Sequence, residues 1–185
     1  MRMNYVIRSI RADEWPAAKK VRLAALQDPI AHLAFLETYD EAVAKPDTFW
    51  QERAGGVAEG ATGAQQIIAE APDGEWIGTL TVLVEDAGTK DWAGFPVERR
   101  QGHIVAVFVQ PEFRGIGLTE VLFDAGVEWA WAMGAERVRL IVHEENTRAQ
   151  RFYRKAGFVP SGVVVPFEQA PGEIELEFVL ERDGG

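Results

Sequence analysis

The apolar stretch GHIVAVFV at residues 102–109 is the feature that most restricts how this chain can fold. Its side chains are apolar almost without interruption, which is typical of a strand buried on both faces of a sheet. A turn containing Arg114, Gly115 and Gly117 comes next, followed by apolar residues at steps of three and four up to Met133. A buried strand, a glycine turn and an amphipathic helix in this order predict a sheet that is covered by helices.

The rest of the chain mixes strand and helix patterns, with a hairpin towards each end. Strands are predicted at residues 5–10, 65–71, 76–85, 138–142, 158–165 and 173–181. Helices are predicted from Asp13 to Pro29, from Asp47 to Gly55 and Gly56, from Leu118 to Gly134, and from Asn146 or Thr147 to Gly157. Residues 30–45 fit no single pattern, and residues 86–101 lack periodicity and predict an exposed loop. This mixture favours a mixed sheet over a purely parallel one.

Length and composition limit the class of protein. With 185 residues and 47% hydrophobic side chains, we expect a single domain over residues 1–185 with its own core. The lack of cysteine excludes disulfides, cysteine-ligated metals and a cysteine acyl-enzyme. A formal charge of −10 makes nucleic acid a poor partner, and it suits either simple solubility or a cationic substrate. The absence of a long apolar run or secretory leader predicts a cytoplasmic protein with no membrane partner.

The glycine turn PEFRGIGLTEVL at residues 111–122 has two interpretations. Backbone N–H groups exposed between a strand and a helix form an anion site, which the helix dipole strengthens and the Arg114 side chain complements. Equally, a tight connection can need Gly115 and Gly117 for its geometry alone. A phosphate-binding Walker motif requires a lysine after the glycines, and the dinucleotide fingerprint requires a third glycine where Glu120 stands. Nucleotide hydrolysis and hydride transfer are therefore disfavoured.

Two segments together resemble a known family. VFVQPEFRGIGLTEVLFDA and, about thirty residues later, ENTRAQRFYRKAGFVPSG are similar to the GNAT superfamily of acetyl-CoA-dependent N-acyltransferases, most specifically over residues 102–162. Arg114, Gly117 and Thr119 match the glycine-turn pattern of that family, although Thr119 stands where glycine or alanine is usual. The resemblance implies an α+β fold with three α/β/α layers. Its mixed, mostly antiparallel sheet would have six to seven strands, splayed central parallel strands and about four flanking helices.

The resemblance also implies a ligand and the residues that hold it. Acetyl-CoA would be the cosubstrate, with no metal, and it would lie where the fourth and fifth strands separate. Its pyrophosphate would contact the N–H groups of Arg114, Gly115, Ile116, Gly117, Leu118 and Thr119. Its pantetheine arm would pair with Val107, Phe108 and Val109, and the residues near the thioester would be Asn146 and Tyr153.

Acetyl transfer to an amine requires an acid and a base, and the chain offers unequal candidates for them. Without cysteine, direct attack by the amine is the simplest route. Tyr153 is the candidate acid, because a phenol and a thiol have similar pKa values, although Tyr153 could equally pack with Phe152 and Phe158. Family members often carry a carboxylate where this chain has Val105, so His103 is the candidate base. A water relay ending at a glutamate is equally open, the candidates being Glu70, Glu85 and Glu144.

The acceptor is expected to be a small-molecule amine or a peptide or protein amine, bound by a monomer or a homodimer. Apolar and aromatic side chains would form its pocket, namely Leu33, Phe35, Trp50, Trp92 and Phe167. Glu37, Asp40 and Glu41 could hold its positive charge. A catalytically inactive module that binds acyl-CoA as a sensor or scaffold is the alternative function, and a protein-interaction domain without a phosphate site is a third.

Overall fold

The computed structural model describes residues 4–29, 31, 35, 37–91, 93–168 and 170–183, and it contains one seven-stranded sheet. The strands are β1 (Val6–Ser9), β2 (Ala64–Glu70), β3 (Trp76–Glu85), β4 (Gln101–Val109), β5 (Arg137–His143), β6 (Val159–Pro166) and β7 (Ile174–Glu181). The helices among these residues are α1 (Trp15–Leu26), α2 (Tyr39–Val43), α3 (Asp47–Val57), α4 (Leu118–Ala132) and α5 (Thr147–Lys155).

The strands are ordered β1-β2-β3-β4-β5-β7-β6, and the sheet is antiparallel except between β4 and β5. Helices α4 and α5 cover one face, where Leu80, Leu122 and Phe158 belong to a buried apolar cluster. Helices α1 and α3 cover part of the opposite face through a second cluster that includes Trp50 and Ile68. The predicted α+β fold with three layers and a mixed, mostly antiparallel sheet is therefore confirmed.

Helix α3 differs from its predicted form at both ends. It continues through Gly55 and Gly56 to Val57, and Pro46 occupies its N-cap position instead of Asp47. Glycine is a poor helix former, but the helix buries Trp50 against the sheet. Tertiary packing supplies most helical stability in proteins, so it outweighs the low propensity of two glycines.

Strands β4 and β5 pair over a short length and then separate. Their parallel register runs from Gln101 opposite Arg137 to His103 opposite Arg139, while β4 continues to Val109. A bulge in the β3–β4 pairing lies close to this point. Within the bulge, Ala106 has a φ of +55° and is the one described residue other than glycine with a positive φ. Because the bulge adds a residue to β4, it reverses which face the following side chains point to. The predicted splay of the central parallel strands is present.

The connection between β3 and β4 is largely exposed, as predicted, but Asp91 anchors it to the sheet. Asp91 Oδ1 accepts hydrogen bonds from the N–H groups of Ala93 and Phe95, at 3.0 and 2.9 Å. Its Oδ2 lies 2.6 Å from Nη1 of Arg139, in the middle of β5. Asp91 thereby holds the loop on the sheet.

None of the helices in the described part of the chain is long and apolar enough to cross a membrane.

Candidate functional site

A cavity of about 410 Å³ lies where β4 and β5 separate, bordered by the first turns of α4 and α5. It brings together most of the side chains predicted to bind a cofactor, which are Val107, Phe108, Val109, Arg114, Gly115, Gly117, Leu118, Thr119, Asn146 and Tyr153. Ile116 does not line it, because its side chain is 51% exposed on the outside of the turn. Two segments separated by about thirty residues thus form one site.

Where the glycine turn enters α4, backbone N–H donors have no side-chain acceptor among the described residues. Gly115 and Gly117 have φ values of +78° and +84°, a conformation that favours glycine. Gly117 is the N-cap of α4 and no side chain caps the helix, so the N–H groups of its first turn have no intrahelical acceptor. Apart from the glycine itself and its chain neighbours, no heavy atom of the described residues lies within 4 Å of where a Cβ on either glycine would be. Open space, free donors and the helix dipole together suit a phosphate-sized anion.

The Arg114 side chain does not lie over this turn. Its Nε donates to the carbonyl oxygen of Val109 at 2.9 Å, and its Nη2 contacts Oδ2 of Asp28 at 2.5 Å. The guanidinium therefore ties the end of β4 to the residues that follow α1. The backbone, and not the arginine side chain, supplies the donors at the glycine turn. No local sequence pattern predicted Asp28 as the partner of Arg114.

Asn146 and Tyr153 both line the cavity from α5. Asn146 is the N-cap, and its Oδ1 accepts the Ala149 N–H at 3.2 Å. The ring of Tyr153 packs near Phe123 and Phe178, with centroids 5.7 and 6.1 Å away. Burial raises the pKa of the Tyr153 phenol to about 12. Aromatic packing and a place in the cavity, which the sequence offered as alternatives for Tyr153, occur together.

His103 lies apart from this cavity, in a charged cluster at the point where β4 and β5 meet. It is 1% exposed, and its Nδ1 lies 3.2 Å from Oε2 of Glu85. Arg139 contacts Glu85, Asp91 and Glu177 in the same cluster. Burial alone would raise the pKa of Glu85, but hydrogen bonds and charge from His103, Gln101 and Arg139 lower it to about 2. His103 and Glu85 thus form part of a buried polar cluster, about four residues along β4 from the cavity.

Two of the three carboxylates suggested for a cationic acceptor are engaged elsewhere. Glu37 is contacted by Lys45 at 2.6 Å, by Arg22 at 2.8 Å and by Arg53 at 3.8 Å. Glu41 closes a capping box with Thr38. Asp40, the third of them, is exposed. Of the glutamates suggested for a water relay, Glu70 pairs with Arg8 at the edge of the sheet and Glu144 is exposed.

The aromatic residues suggested for the acceptor pocket are also dispersed. Phe35 lines the large cavity, Trp50 is buried under α3, and Phe167 packs edge-on against His143. Leu33 and Trp92 lie outside the described residues.

The sequence did not identify His143 and Glu175, which are paired neighbours on β5 and β7. Both are buried, and neither His143 Nε2 nor Glu175 Oε1 has a hydrogen-bond partner among the described residues. Burial raises the pKa of Glu175. Because they alternate with Val142 and Leu176, they point away from α5. The polar–apolar alternation of EIELEFVLE was the available signal for Glu175.

His143, Glu145 and Glu173 place possible metal-ligand atoms within 4.8 Å of one another. The backbone N–H of Glu145 donates to Nδ1 of His143 at 3.0 Å. A neutral His143 therefore carries its proton on Nε2, the atom that lies 3.7 Å from Glu173. A protonated nitrogen donates hydrogen bonds and does not ligate a metal, so this geometry favours hydrogen bonding to carboxylates.

Comparison with known proteins gives a consistent family. A model of the acetyltransferase (GNAT) family matches residues 29–158, more than half of the chain. A Bacillus subtilis (strain 168) protein named as a ribosomal protein bS18-alanine N-acetyltransferase is 32% identical over 95 residues, or 51% of this chain and 63% of that protein. A mycothiol acetyltransferase of Beutenbergia cavernae is 31% identical over 52% of this chain and 29% of its own length. The chain thus matches less than two thirds of each of these relatives.

Solved structures share the fold over nearly the whole chain. Arabidopsis thaliana NAA60 in complex with acetyl-CoA has a TM-score of 0.69 and 17% identity, covering 97% of this chain and 100% of that one. The yncA protein of Salmonella typhimurium with its cofactor acetyl-CoA has a TM-score of 0.67 and 17% identity, covering 98% and 96%. At this level of identity the similarity concerns the fold alone.

Proposed function

Because the chain belongs to the GNAT acetyltransferase family, we propose that it moves an acetyl group from acetyl-CoA to a primary amine by direct attack. One observation carries the proposal, namely the cavity in which an unpaired strand edge, an uncapped helix N-terminus and Tyr153 meet. Acetyl-CoA would supply the acetyl group as a reactive thioester. The acceptor would be a small-molecule amine or the amine of a peptide or protein, as in the relative named for ribosomal protein alanine.

The donors that line the cavity fit the polar parts of acetyl-CoA. The N–H groups from Arg114 to Thr119 would hold its pyrophosphate, which the free donors and positive φ values support. The backbone of Val107, Phe108 and Val109 would pair with the pantetheine arm, because β4 has no partner strand on that side beyond His103 among the described residues. Asn146 would use the hydrogen-bonding capacity left after it caps α5.

Tyr153 is the proposed proton donor to the leaving thiolate. With a pKa of about 12, its phenol is protonated at neutral pH. A thiolate in the same apolar surroundings would also have a raised pKa, because desolvation disfavours every anion there. The packing of its ring against Phe123 and Phe178 fixes the direction of the hydroxyl, which supports a positioned acid.

The proton acceptor would lie on the face of the sheet opposite Tyr153, and we take His103 and Glu175 as the two candidates to test on that face. Glu175 has an unpartnered carboxylate oxygen, and its raised pKa makes it a better base than an ordinary glutamate. His103 is already bound to Glu85. If Glu175 is the base, we expect Glu175→Gln to lower the rate by roughly 10²-fold and to abolish the acidic limb of the pH–rate profile. If His103 is the base, His103→Ala should have the same two effects. Unchanged profiles for both variants would exclude both residues as the base.

A non-catalytic acyl-CoA-binding module is the second candidate. Val105 favours it, because this position carries no titratable group. A thiol-release assay with acetyl-CoA and a panel of primary amines separates the two. Release that depends on an amine supports the transferase, whereas acetyl-CoA binding without release for every amine supports the module.

An interaction domain without a phosphate site is the third alternative, and thermal denaturation tests it. A ligand of the native state raises the melting temperature by mass action, so such a domain would show no thermal stabilisation by acetyl-CoA.

A further inference from the structure

A second, smaller cavity lies on the α1–α3 side of the sheet. Basic side chains line it, whereas the site expected from the sequence was acidic and would hold a cation. The small cavity has a volume of about 30 Å³, and its lining includes Arg22, Trp50, Arg53, Thr81 and Ala106. One water needs roughly 10–15 Å³ by this measure, so the cavity has room for a group the size of a carboxylate and no more.

Hydrogen-bond donors without acceptors face this space. Arg22 Nη1 and Trp50 Nε1 are buried and have no hydrogen-bond partner among the described residues. The Thr79 hydroxyl is engaged elsewhere, because it donates to the carbonyl oxygen of Ile67 and accepts from Gln66. Buried donors are satisfied in nearly all folded proteins, so an acceptor from outside the chain is the missing partner.

The local charge is also positive. Three cations, Arg22, Lys45 and Arg53, share the carboxylate of Glu37, the one carboxylate within salt-bridge distance of Arg22 or Arg53 among the described residues. Burial, and then the charge of Arg22, lower the pKa of Arg53. Two guanidinium groups and an indole N–H beside a small cavity match the planar, two-oxygen geometry of a carboxylate.

The small cavity adjoins the large one across β4. Ala106 lines the small cavity and the next residue, Val107, lines the large one. Phe35 also lines the large cavity, and the Arg22 guanidinium lies 4.6 Å from the centroid of its ring. A molecule that bridged the two cavities would therefore hold an anionic group at Arg22 and Trp50 and present another group at the gap between β4 and β5.

We infer that the acceptor is a primary amine that carries a carboxylate, and that Arg22, Trp50 and Arg53 bind this carboxylate. This inference rests on the proposed function for the identity of the transferred group. The carboxylate fixes the position of the molecule, and the amine reaches the transfer point at the β4 bulge. An alkylamine of the same chain length lacks the carboxylate and would leave the buried donors of Arg22 and Trp50 unpaired. The site should therefore discriminate strongly against it as an acceptor.

The test uses amino acids whose amine and carboxylate lie at opposite ends of chains of two to six carbons. Each is paired with the alkylamine of the same length. We expect kcat/KM to favour one or more of these amino acids by roughly 30-fold or more over the paired alkylamine. Trp50→Phe removes the indole donor and should reduce kcat/KM for the preferred amino acid by roughly 5- to 10-fold, with less than a twofold change for the alkylamine.

Trp76→Phe is the matched control, because Trp76 is buried in the same apolar cluster and does not line the small cavity. It should leave the preference for the carboxylate unchanged. Alkylamines that react as well as the amino acids, or a preference that Trp50→Phe leaves undiminished, would overturn the inference while leaving the acetyltransferase function intact.

Calorimetric titration of the free protein with the same amino acids provides a readout that does not depend on catalysis. Binding that Trp50→Phe weakens and Trp76→Phe does not would support the carboxylate site even if no amine released thiol, an outcome in which the proposed function alone would fail. Absence of binding heat for every chain length, together with no preference in the rate assay, would contradict the site itself.

Discussion

The two halves of the molecule around the splayed strands are built in different ways. The cofactor half consists largely of one continuous segment, residues 104–120, in which strand, turn and helix follow one another. The acceptor half draws Arg22 from α1, Trp50 and Arg53 from α3, and Ala106 from β4. The first half presents mainly backbone N–H groups, whereas the second presents side chains. Local sequence therefore encodes the first, and only tertiary packing assembles the second.

Substitution of Tyr153 should have the largest effect and should separate chemistry from binding. Tyr153→Phe keeps the ring that packs against Phe123 and removes the hydroxyl, so we expect kcat to fall by roughly 10²–10⁴-fold while acetyl-CoA affinity changes less than twofold. Steady-state kinetics and calorimetric titration with acetyl-CoA measure the two quantities. Phe152→Leu, which alters a neighbouring ring and no acid, is the control for packing. An unchanged kcat in Tyr153→Phe would assign Tyr153 to packing alone.

The charged cluster where β4 and β5 meet supports both halves, and its contribution depends on pH. Because the pKa of Glu85 is lowered from 4.5 to about 2, ionised Glu85 stabilises the fold above pH 4.5, and this contribution is lost as the pH falls through about 2. We expect Glu85→Gln to lower the free energy of unfolding at pH 7 by about 3 kcal/mol, and by progressively less as the pH falls below 4.5.

Urea denaturation at pH 7, 5 and 3 measures this difference. Glu98→Gln, at an exposed position in the loop before β4, is the control and should change stability by less than about 0.5 kcal/mol. If Glu85→Gln lowered the free energy of unfolding equally at every pH, the cluster would act through packing and not through charge.

A smaller effect tests whether the cofactor half relies on its backbone. Gly117→Ala places a Cβ in the open space of the turn and strains a φ of +84°, so we expect acetyl-CoA affinity to fall roughly tenfold as N–H donors are displaced. Gly60→Ala imposes the same strain at a φ of +89°, with similarly open surroundings, in a loop away from the cavity. Gly60→Ala should lower the free energy of unfolding by about 1–2 kcal/mol, as Gly117→Ala does, without affecting acetyl-CoA affinity. Equal affinities for the two variants would mean that the glycine turn holds no phosphate.

The same contrast explains which parts of the structure could be predicted. Periodicity in residues 102–133 reports local geometry, so β4, the glycine turn and α4 were found close to their observed bounds. Packing of Trp50 decided the end of α3, and the glycines there misled the prediction because propensity is a weak local term. The partners of Arg114 and Arg139, which are Asp28 and Asp91, lie 86 and 48 residues away in the chain. No local pattern reports such pairs.

The sign of charge on the acceptor side was the largest departure from expectation. Glu37, Asp40 and Glu41 suggested a site for a cation, because single residues carry their charge visibly in a sequence. In the fold, Glu37 is neutralised by three basic side chains that come from α1, α3 and the segment between them. The net charge of a surface depends on which residues packing brings together, so a count along the chain could not give it.

Direct transfer of the acetyl group is tested most directly by one turnover with isotopically labelled acetyl-CoA and an amine that supports thiol release. Mass spectrometry of the amine and of the intact protein follows the label. The label should appear on the amine in step with thiol release, with the protein unmodified at every time point. Label on the protein before it reaches the amine, or thiol release without labelled amine, would contradict direct acetyl transfer by this chain.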